Sequence, residues 1–427
     1  MTFTGILWLL VWGGMFTGIY NLRLSGGLSD LLSVFQAVRT LFPIVAVYLS
    51  LMWMLVKRPG FSFFRMPAGF LFGYFAVGAV SSVFLSPNRL TALYWAGEYA
   101  APLLVVWVAV EMPDPLDRLR KILYLNNIVV ALIFFSLIPD VLHVGGSDER
   151  FSQFYRLPFN LGDMKANGVG RFALVMTIIA FTYLICRRQK RSKFLWGVLL
   201  LPALFMLAQT RSRTSLLGLA ISGVLLVLIM GIDLRFLLIG PAATYLVYLS
   251  GIKWRLHGHV EKLMFLTGRD YTWRKGLAQI EHSPFLGWGF HADRLMLNSE
   301  HMHNSYLHSA IHAGVFGAAF FLAALVAVWV LILRSGLMKR IRGVAGRDLP
   351  LLMQSVLIIG FLTGRSFFES TAAFYGVDLL LLVPAMAYIW VWDRENAGGA
   401  DERRESHSGA PDGDHPPDKR SGLMAMT

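Results

Sequence analysis

Residues 304–333, NSYLHSAIHAGVFGAAFFLAALVAVWVLIL, form one apolar segment that contains no Asp, Glu, Lys or Arg. About 20 apolar residues in a helix cross the hydrocarbon core of a bilayer. This segment therefore predicts a transmembrane helix that is tilted or extends beyond the bilayer. Runs of similar composition recur along almost the whole chain, so the sequence predicts an all-α polytopic integral membrane protein.

The overall composition supports this fold class. Of the 427 residues, 56% are hydrophobic and only 15% are charged, and the mean hydropathy is +0.56. A soluble domain carries about a quarter charged residues, so a soluble enzyme and a disordered chain are excluded. The single cysteine, Cys186, excludes an intrachain disulfide and a cysteine-based zinc site. We predict about twelve transmembrane helices, at 4–20, 31–56, 67–86, 91–111, 120–139, 168–186, 193–208, 214–230, 234–251, 304–333, 350–366 and 372–392.

Basic residues in the short connections predict the orientation. They follow the even-numbered spans, for example at Lys57, Arg118 and Arg187. These connections therefore share one side, which the positive-inside rule assigns to the cytoplasm. Both termini are then cytoplasmic. The longer connections 140–167 and 252–303 lie outside, and we expect short helices in the second, larger one.

The two ends of the chain differ in character. The first 20 residues lack Lys and Arg, so we expect a retained first helix rather than a cleaved signal peptide. Residues 1–392 form the predicted membrane domain, and the polar composition of 393–427 predicts a disordered cytoplasmic tail. The net charge of +13 does not indicate nucleic-acid binding, because orientation explains the basic loops and no recognised binding motif is present.

The turn Gln209-Thr210-Arg211-Ser212-Arg213 places two arginines on the outer side, against the orientation bias. A guanidinium near hydrocarbon costs about 2.5–3.5 kcal/mol unless it snorkels or pairs. Two such groups offer fork-shaped donors that suit a phosphate or pyrophosphate. The alternative is that both side chains snorkel to lipid headgroups.

A second cationic segment lies in the large outer loop. Arg269 and Trp273 are four residues apart and share a helix face, and Arg274 follows directly. An arginine beside an indole can hold an anionic headgroup or the face of a sugar. The same residues can equally be interfacial anchors.

Several histidines lie at the start of the apolar segment 304–333. Imidazoles titrate near neutral pH, so one of them is a natural general base. His301 and His303 are two residues apart, and His308 and His312 are four apart on one helical face, which are spacings that a metal site can use. No carboxylate has zincin-like spacing to them, so base, metal and interfacial or structural roles stay open at this point.

Several other charged residues lie outside these segments. Arg365 and Glu369, four residues apart near the outer end of the eleventh span, predict an ion pair that neutralises two buried charges. Glu98 and the cluster at 148–150 are other polar candidates.

Three segments occur in a fixed order on one predicted side of the membrane. They are Thr210-Arg211-Ser212-Arg213; Gly268-Arg269 with Trp273, Pro284 and Gly287-Trp288-Gly289; and His303-Asn304-Ser305-Tyr306-Leu307 with Gly314 and Gly317. Together they resemble the O-antigen ligase/polymerase family of bacterial polytopic glycosyltransferases, over residues 165–335. The resemblance implies transfer of a glycan from undecaprenyl pyrophosphate to an acceptor hydroxyl at the periplasmic face of the inner membrane, without a metal or other cofactor.

The resemblance also implies residue roles. His303 matches the proposed catalytic base, Arg269 matches the arginine that opens the helical segment of the loop, and Arg213 matches the arginine that ends the turn. Arg211 is an additional arginine, and either Arg211 or Arg213 can face the pyrophosphate. Fixed guanidinium groups stabilise the charge of a departing pyrophosphate, and a histidine accepts the proton of the attacking hydroxyl. Attack opposite the pyrophosphate inverts the anomeric carbon. Further substrate contacts are expected at Trp273, Arg274, His301, Asn304 and Tyr306.

Several alternatives remain open from the sequence. A ligase uses lipid A core as acceptor, whereas an O-antigen or exopolysaccharide polymerase uses a lipid-linked repeat unit; the resemblance favours the ligase. A transporter would have as many helices, but more often shows paired halves or broken helices at the midplane. A transferase with a carboxylate base would depend on Asp148 or Glu149 instead of His303.

Overall fold

The computed structural model describes residues 2–19, 38–144, 155–156, 163–164, 166–187, 189–210, 212–233, 269–298 and 300–408. Their regular structure is helical, apart from two short antiparallel strands. In chain order the elements are α1 (Phe3–Ile19), α2 (Leu41–Lys57), a 3-10 helix (Ser62–Arg65), α3 (Pro67–Phe84), α4 (Arg89–Glu111), α5 (Pro115–Val144), β1 (Tyr155–Arg156), β2 (Asp163–Met164), α6 (Ala166–Cys186), α7 (Lys190–Thr210), α8 (Arg213–Met230), α9 (Arg269–His282), α10 (Ala292–Met296), α11 (Ser305–Arg334), α12 (Leu337–Arg340), a 3-10 helix (Ile341–Gly343), α13 (Asp348–Arg365) and α14 (Val377–Ser408).

Seven helices of the described residues are long and apolar enough to cross a membrane. They are Pro67–Phe84, Arg89–Glu111, Pro115–Ile138, Asn167–Cys186, Lys190–Thr210, Arg213–Met230 and Ser305–Arg334, with shorter apolar helices at Phe3–Met15 and Leu41–Lys57. Every predicted span except the ninth coincides at least in part with a helix; the ninth, 234–251, lies outside the described residues. The total of twelve spans and the cytoplasmic termini stay predictions.

Helix α14 passes the predicted end of the membrane domain at residue 392 and continues to Ser408. Residues 393–408, predicted to be disordered, are therefore helical. Half of the residues in this segment are alanine, glutamate or arginine, which are strong helix formers. No proline lies between residue 393 and Pro411. The rest of the predicted tail, 409–427, lies outside the described residues.

Helix α11 is kinked at Ala313 and Gly314. Gly314 has φ 61° and ψ −166°, a backbone conformation that residues other than glycine rarely adopt. A Cβ atom at Gly314 would also lie 2.2 Å from the carbonyl oxygen of Phe285. Both the dihedral angles and the close approach of the loop therefore require glycine at this position.

The loop 284–289 replaces helical hydrogen bonds that the kink removes. The Trp288 N–H donates to the carbonyl of Ile311 at 2.8 Å. Val315 N–H, the usual helical partner of that carbonyl, donates instead to Pro284 at 2.7 Å. Because the loop and the kink satisfy each other's backbone groups, the outer loop is held against helix α11.

The described outer connections meet at one end of the helix bundle. The beginnings of α6, α8, α9 and α11 are joined by hydrogen bonds to one another or to the loop 366–376 between α13 and α14. Another set of contacts lies along the predicted cytoplasmic connections, where Arg120 pairs with Asp348 at 2.5 Å. Asn167, Ser212, Arg269, Ser305 and Glu369 thus lie together at the end predicted to face outward.

Candidate active site

Helix α11 begins against the loop that follows α13. Asn304 is its N-cap residue, and its Oδ1 accepts hydrogen bonds at 3.0 Å from the N–H of Tyr306 and from that of the next residue. The Ser305 hydroxyl donates to the carbonyl of Glu369 at 2.8 Å. His303, directly before the cap, has φ 48°. Together, the cap and the serine fix His303 beside the loop that carries Glu369.

His303 is paired with the buried carboxylate of Glu369. Its Nδ1 lies 3.0 Å from Glu369 Oε2. Burial by itself raises the pKa of Glu369, but the hydrogen bond from His303 and the charges of Arg365 and Arg269 lower this pKa from 4.5 to about 2. An ionised carboxylate can only accept hydrogen bonds, so Nδ1 of His303 donates. In a neutral imidazole with this tautomer, the other ring nitrogen, Nε2, carries the lone pair, and the side chain is 35% exposed.

Arg269, the first residue of α9, binds the same carboxylate. Its Nη2 lies 3.1 Å from Glu369 Oε1, and its Nη1 donates to the carbonyl of Phe368 at 2.5 Å. A guanidinium has five N–H donors, so these two contacts leave donors for a further anion. The contacts hold the group in a fixed position without neutralising its hydrogen-bonding capacity.

The turn at 210–213 reaches Glu369 through one intermediate residue. Asn167, at the start of α6, donates from Nδ2 to Glu369 Oε1 at 2.6 Å. Its Oδ1 accepts from the hydroxyl of Ser212 at 2.9 Å. Ser212 is the N-cap of α8, and Arg213 is the exposed first residue of that helix. One carboxylate thus links the start of α8, Arg269 and His303.

Three further predicted residues support the frame of the site. Trp273 Nε1 donates to the carbonyl of Met302 at 2.6 Å, directly before His303. Asn304 caps α11, as described above. The hydroxyl of Tyr306 accepts from Ser366 Oγ at 2.9 Å. These contacts position the backbone around His303.

One predicted arginine, Arg274, is not part of this arrangement. Arg274 forms an ion pair with Asp270 at 3.5 Å, and its side chain is 81% exposed. It lies on α9 five residues after Arg269, about 100° per residue around the helix, and so on a different face. Arg211 lies outside the described residues.

The predicted ion pair between Arg365 and Glu369 is wrong. Arg365 Nε instead lies 3.3 Å from Asp378 Oδ2, and Arg171 Nη1 lies 3.2 Å from Oδ1 of the same carboxylate. Two buried arginines therefore share one aspartate, since His303 and Arg269 occupy Glu369. Arg365 Nη1 and Arg171 Nε have no hydrogen-bond partner within the described part of the chain, so the cluster carries an excess of positive charge.

A second buried carboxylate, Asp293, lies among three histidines. Its Oδ2 is 3.0 Å from His301 Nδ1 and 3.6 Å from His308 Nδ1, and its Oδ1 is 3.5 Å from His312 Nε2. Burial by itself raises the pKa of Asp293, but the facing imidazoles, His308 first, hold this pKa well below its usual range. His301 therefore belongs to a different cluster from His303.

Residues 198–322 match the model of a family described as O-antigen ligase. The matched segment is similar to an O-antigen ligase domain and covers less than a third of the chain. The resemblance predicted from the three motifs is thereby confirmed for this segment. No curated protein matches this chain.

The matched segment contains Arg213, Arg269 and His303 but not every residue of the site. Asn167 lies before it and Glu369 lies after it. Both contact the matched residues only because α6 and the loop after α13 meet at the same end of the bundle.

Sequence reasoning missed the roles of Glu369 and Asp293. The carboxylate of Glu369 was assigned to Arg365 because the two are four residues apart, whereas its partners are 66 and 100 positions away. Asp293 lies within 15 residues of His301 and His308, so an acidic residue close to a histidine-rich segment was the available signal.

Proposed function

We propose that this protein is an inverting glycosyltransferase that moves a glycan from undecaprenyl pyrophosphate to an acceptor hydroxyl, and that it acts as an O-antigen ligase with lipid A core as acceptor. The observation that carries the proposal is the Glu369 network. One ionised carboxylate orients His303 as a base and fixes Arg269 beside it.

The reaction follows from these contacts. The acceptor oxygen attacks the anomeric carbon while the bond from that carbon to the pyrophosphate oxygen breaks. The hydroxyl proton passes to His303 Nε2, whose lone pair is available because Nδ1 donates to Glu369. The bonding electrons leave with the pyrophosphate, and attack from the opposite side inverts the anomeric carbon.

The departing pyrophosphate needs positive charge that is already in place. Arg269 is anchored at two points and keeps further N–H donors. Arg213 begins α8, whose N-cap Ser212 is linked to Glu369 through Asn167. Such preorganised donors stabilise developing charge without having to reorganise during the reaction. Because guanidinium groups supply this charge, we infer a step that does not pass through a metal.

The proposal places the site at the periplasmic face of the bacterial inner membrane. The positive-inside pattern assigns the opposite connections to the cytoplasm, and the site residues lie on the predicted outer connections. Both substrates are lipid-linked, so the bilayer holds them in one plane. Their proximity at the site lowers the entropic cost of bringing them together.

The test is glycan transfer by the purified full-length protein in detergent. The donor is a lipid-pyrophosphate-linked oligosaccharide, and the acceptor is either lipid A core or a second lipid-linked repeat unit, in separate reactions. Product on lipid A core that is lost in His303→Gln and Arg269→Gln, and kept after chelation, supports the ligase.

Two other results have a defined meaning. Extension of the lipid-linked repeat unit instead of transfer to lipid A core would make the protein a polymerase with the same site. Absence of product with both acceptors, or full activity of His303→Gln, would contradict the mechanism and favour a transporter.

A further inference from the structure

The Asp293 cluster borders a cavity of about 420 Å³. Asp293 on α10, His301 in the following loop and His308 on α11 all line it. Each of the three residues offers one ligand atom, and these atoms lie within 4.8 Å of one another. The three side chains therefore converge from separate elements on one small volume.

His308 has an unused nitrogen in this cluster. The residue is 1% exposed, and its Nδ1 lies 2.9 Å from the hydroxyl of Ser370. Its Nε2 is buried and has no hydrogen-bond partner among the described residues. A buried polar atom without a partner is unfavourable. The nitrogen that faces Asp293 is Nδ1, 3.6 Å from Oδ2, so a metal ion beside Asp293 would bind the lone pair of Nδ1 in place of its hydrogen bond with Ser370, while Nε2 carries the ring proton.

The neighbouring histidines are engaged elsewhere. His312 Nε2 accepts a hydrogen bond from the backbone N–H of His291 at 3.1 Å, and its Nδ1 lies 3.1 Å from the hydroxyl of Tyr74. The Tyr74 hydroxyl in turn donates to the carbonyl of Ala373, so the ring of His312 has both nitrogens satisfied. His303 is bound to Glu369. Among the described residues, the candidate ligand set is therefore Asp293, His301 and His308.

We propose that Asp293, His301 and His308 bind one Zn²⁺ ion, whose fourth position is open to the cavity. Two imidazoles and one carboxylate are a common zinc ligand set, with bonds of about 2.0–2.2 Å. Ligand atoms within 4.8 Å of one another reach such bonds through small side-chain rotations. The ion replaces the proton between His301 Nδ1 and Asp293 Oδ2, which is released on binding.

The ion ties the outer loop to helix α11. His301 lies two residues before His303, with ring centroids 6.0 Å apart, and His308 lies in the first turns of the helix. An ion that joins them fixes the segment that carries His303 and stabilises the folded state in proportion to its occupancy. Glycan transfer itself is expected to survive removal of the ion, because no step passes through it.

The experiment measures metal binding directly and does not depend on the proposed enzymatic activity. Full-length protein in detergent is stripped with a chelator, dialysed, and titrated with Co²⁺ as a spectroscopic probe and with Zn²⁺. We expect one ion per chain, visible d–d absorbance of a four-coordinate Co²⁺ site, and a higher Tm with Zn²⁺. Asp293→Asn, His301→Gln and His308→Gln are each expected to weaken binding by about 10- to 100-fold or more.

Two variants serve as controls. His282→Gln removes an exposed histidine at the end of α9, and His303→Gln removes a histidine whose ring centroid lies 6.0 Å from that of His301; both are expected to bind the ion normally. If Asp293→Asn or His308→Gln fails to fold, His301→Gln decides alone, because this side chain is 31% exposed. Absence of a bound ion in the wild type, or equal binding by His301→Gln and His282→Gln, would overturn the proposal.

Discussion

The two buried carboxylates, Glu369 and Asp293, bind histidines that are only two residues apart in the sequence. Glu369 holds His303 together with Arg269 and Asn167, which supply charge and hydrogen bonds from outside the histidine segment. Asp293, in contrast, faces three imidazoles. The first arrangement orients a single ring through one carboxylate. The second brings several nitrogen atoms together around a cavity.

This difference shows that the partner, and not the residue type, decides what a histidine does. His303 is 35% exposed and paired with a carboxylate that arginine also binds, which suits proton transfer. His308 is 1% exposed and its Nδ1 faces Asp293 beside His301, which suits a metal ion. Variants of the residues around each carboxylate distinguish the two arrangements.

The largest contrast is expected between His303→Gln and His301→Gln. Loss of a general base lowers the rate by about 10²–10⁴-fold, so His303→Gln should lose nearly all glycan transfer. His301→Gln should reduce kcat by less than about tenfold, because His301 contacts Asp293 and not Glu369. Initial rates of product formation at saturating donor measure both. Equal losses in the two variants would contradict the division between the clusters.

A smaller effect is expected for the arginines of helix α9. Arg269→Gln removes a fixed charge beside Glu369, and loss of one such donor lowers kcat by about 10²-fold. Arg274→Gln, five residues later on the same helix, removes an exposed charge paired with Asp270 and should leave kcat within about twofold. Steady-state kinetics of the two variants make a matched comparison. A dependence on Arg274 as strong as that on Arg269 would contradict the placement of the donor site.

Glu369→Gln should have a milder effect than the loss of either partner. The glutamine carbonyl can still accept from His303 Nδ1, so orientation is kept in part while the negative charge is lost. We expect kcat to fall by about tenfold with little change in KM for the acceptor. A kcat equal to that of the wild type would indicate that Glu369 does not support the base.

The smallest expected difference concerns stability in acid. The pKa of Glu369 is lowered from 4.5 to about 2 in the folded protein. Its contribution to stability is therefore complete above pH 4.5 and is lost as the pH falls towards 2. Between pH 4.5 and 2, the Tm of the wild type should fall, and the Tm of the exposed control Asp270→Asn should fall by the same amount. The Tm of Glu369→Gln should fall by a few degrees less. Parallel curves for all three proteins would mean that Glu369 is not held ionised by its partners.

Local sequence patterns predicted a large part of this architecture. Apolar length located the helices, because a span must satisfy its backbone hydrogen bonds within itself. The sequence motifs indicate Arg269 and His303 as candidate site residues, and both lie at or just before the beginning of a helix. The loop 284–289 was also singled out, although its role in pinning the kink at Gly314 became clear only from the hydrogen bonds to Ile311.

The remaining features depend on contacts between distant segments. Glu369 and Arg365 are four residues apart, and helical spacing favours their pairing. The helix ends at Arg365, however, so Glu369 lies in a loop and is free to reach His303. The pairing of Asp293 with His308 likewise requires the loop to fold back on α11. Neither arrangement follows from periodicity.

The central claim is that His303 and Glu369 act as one unit, and a double-mutant cycle tests it most directly. Transfer rates are measured for the wild type, His303→Gln, Glu369→Gln and the double variant, with Asp270→Asn in place of Glu369→Gln as a control cycle. We expect Glu369→Gln to lower the rate by a smaller factor once His303 is replaced, because only its contacts with Arg269 and Asn167 then remain to be lost. If Glu369→Gln lowers the rate by the same factor with and without His303, the two residues act independently and the account is contradicted.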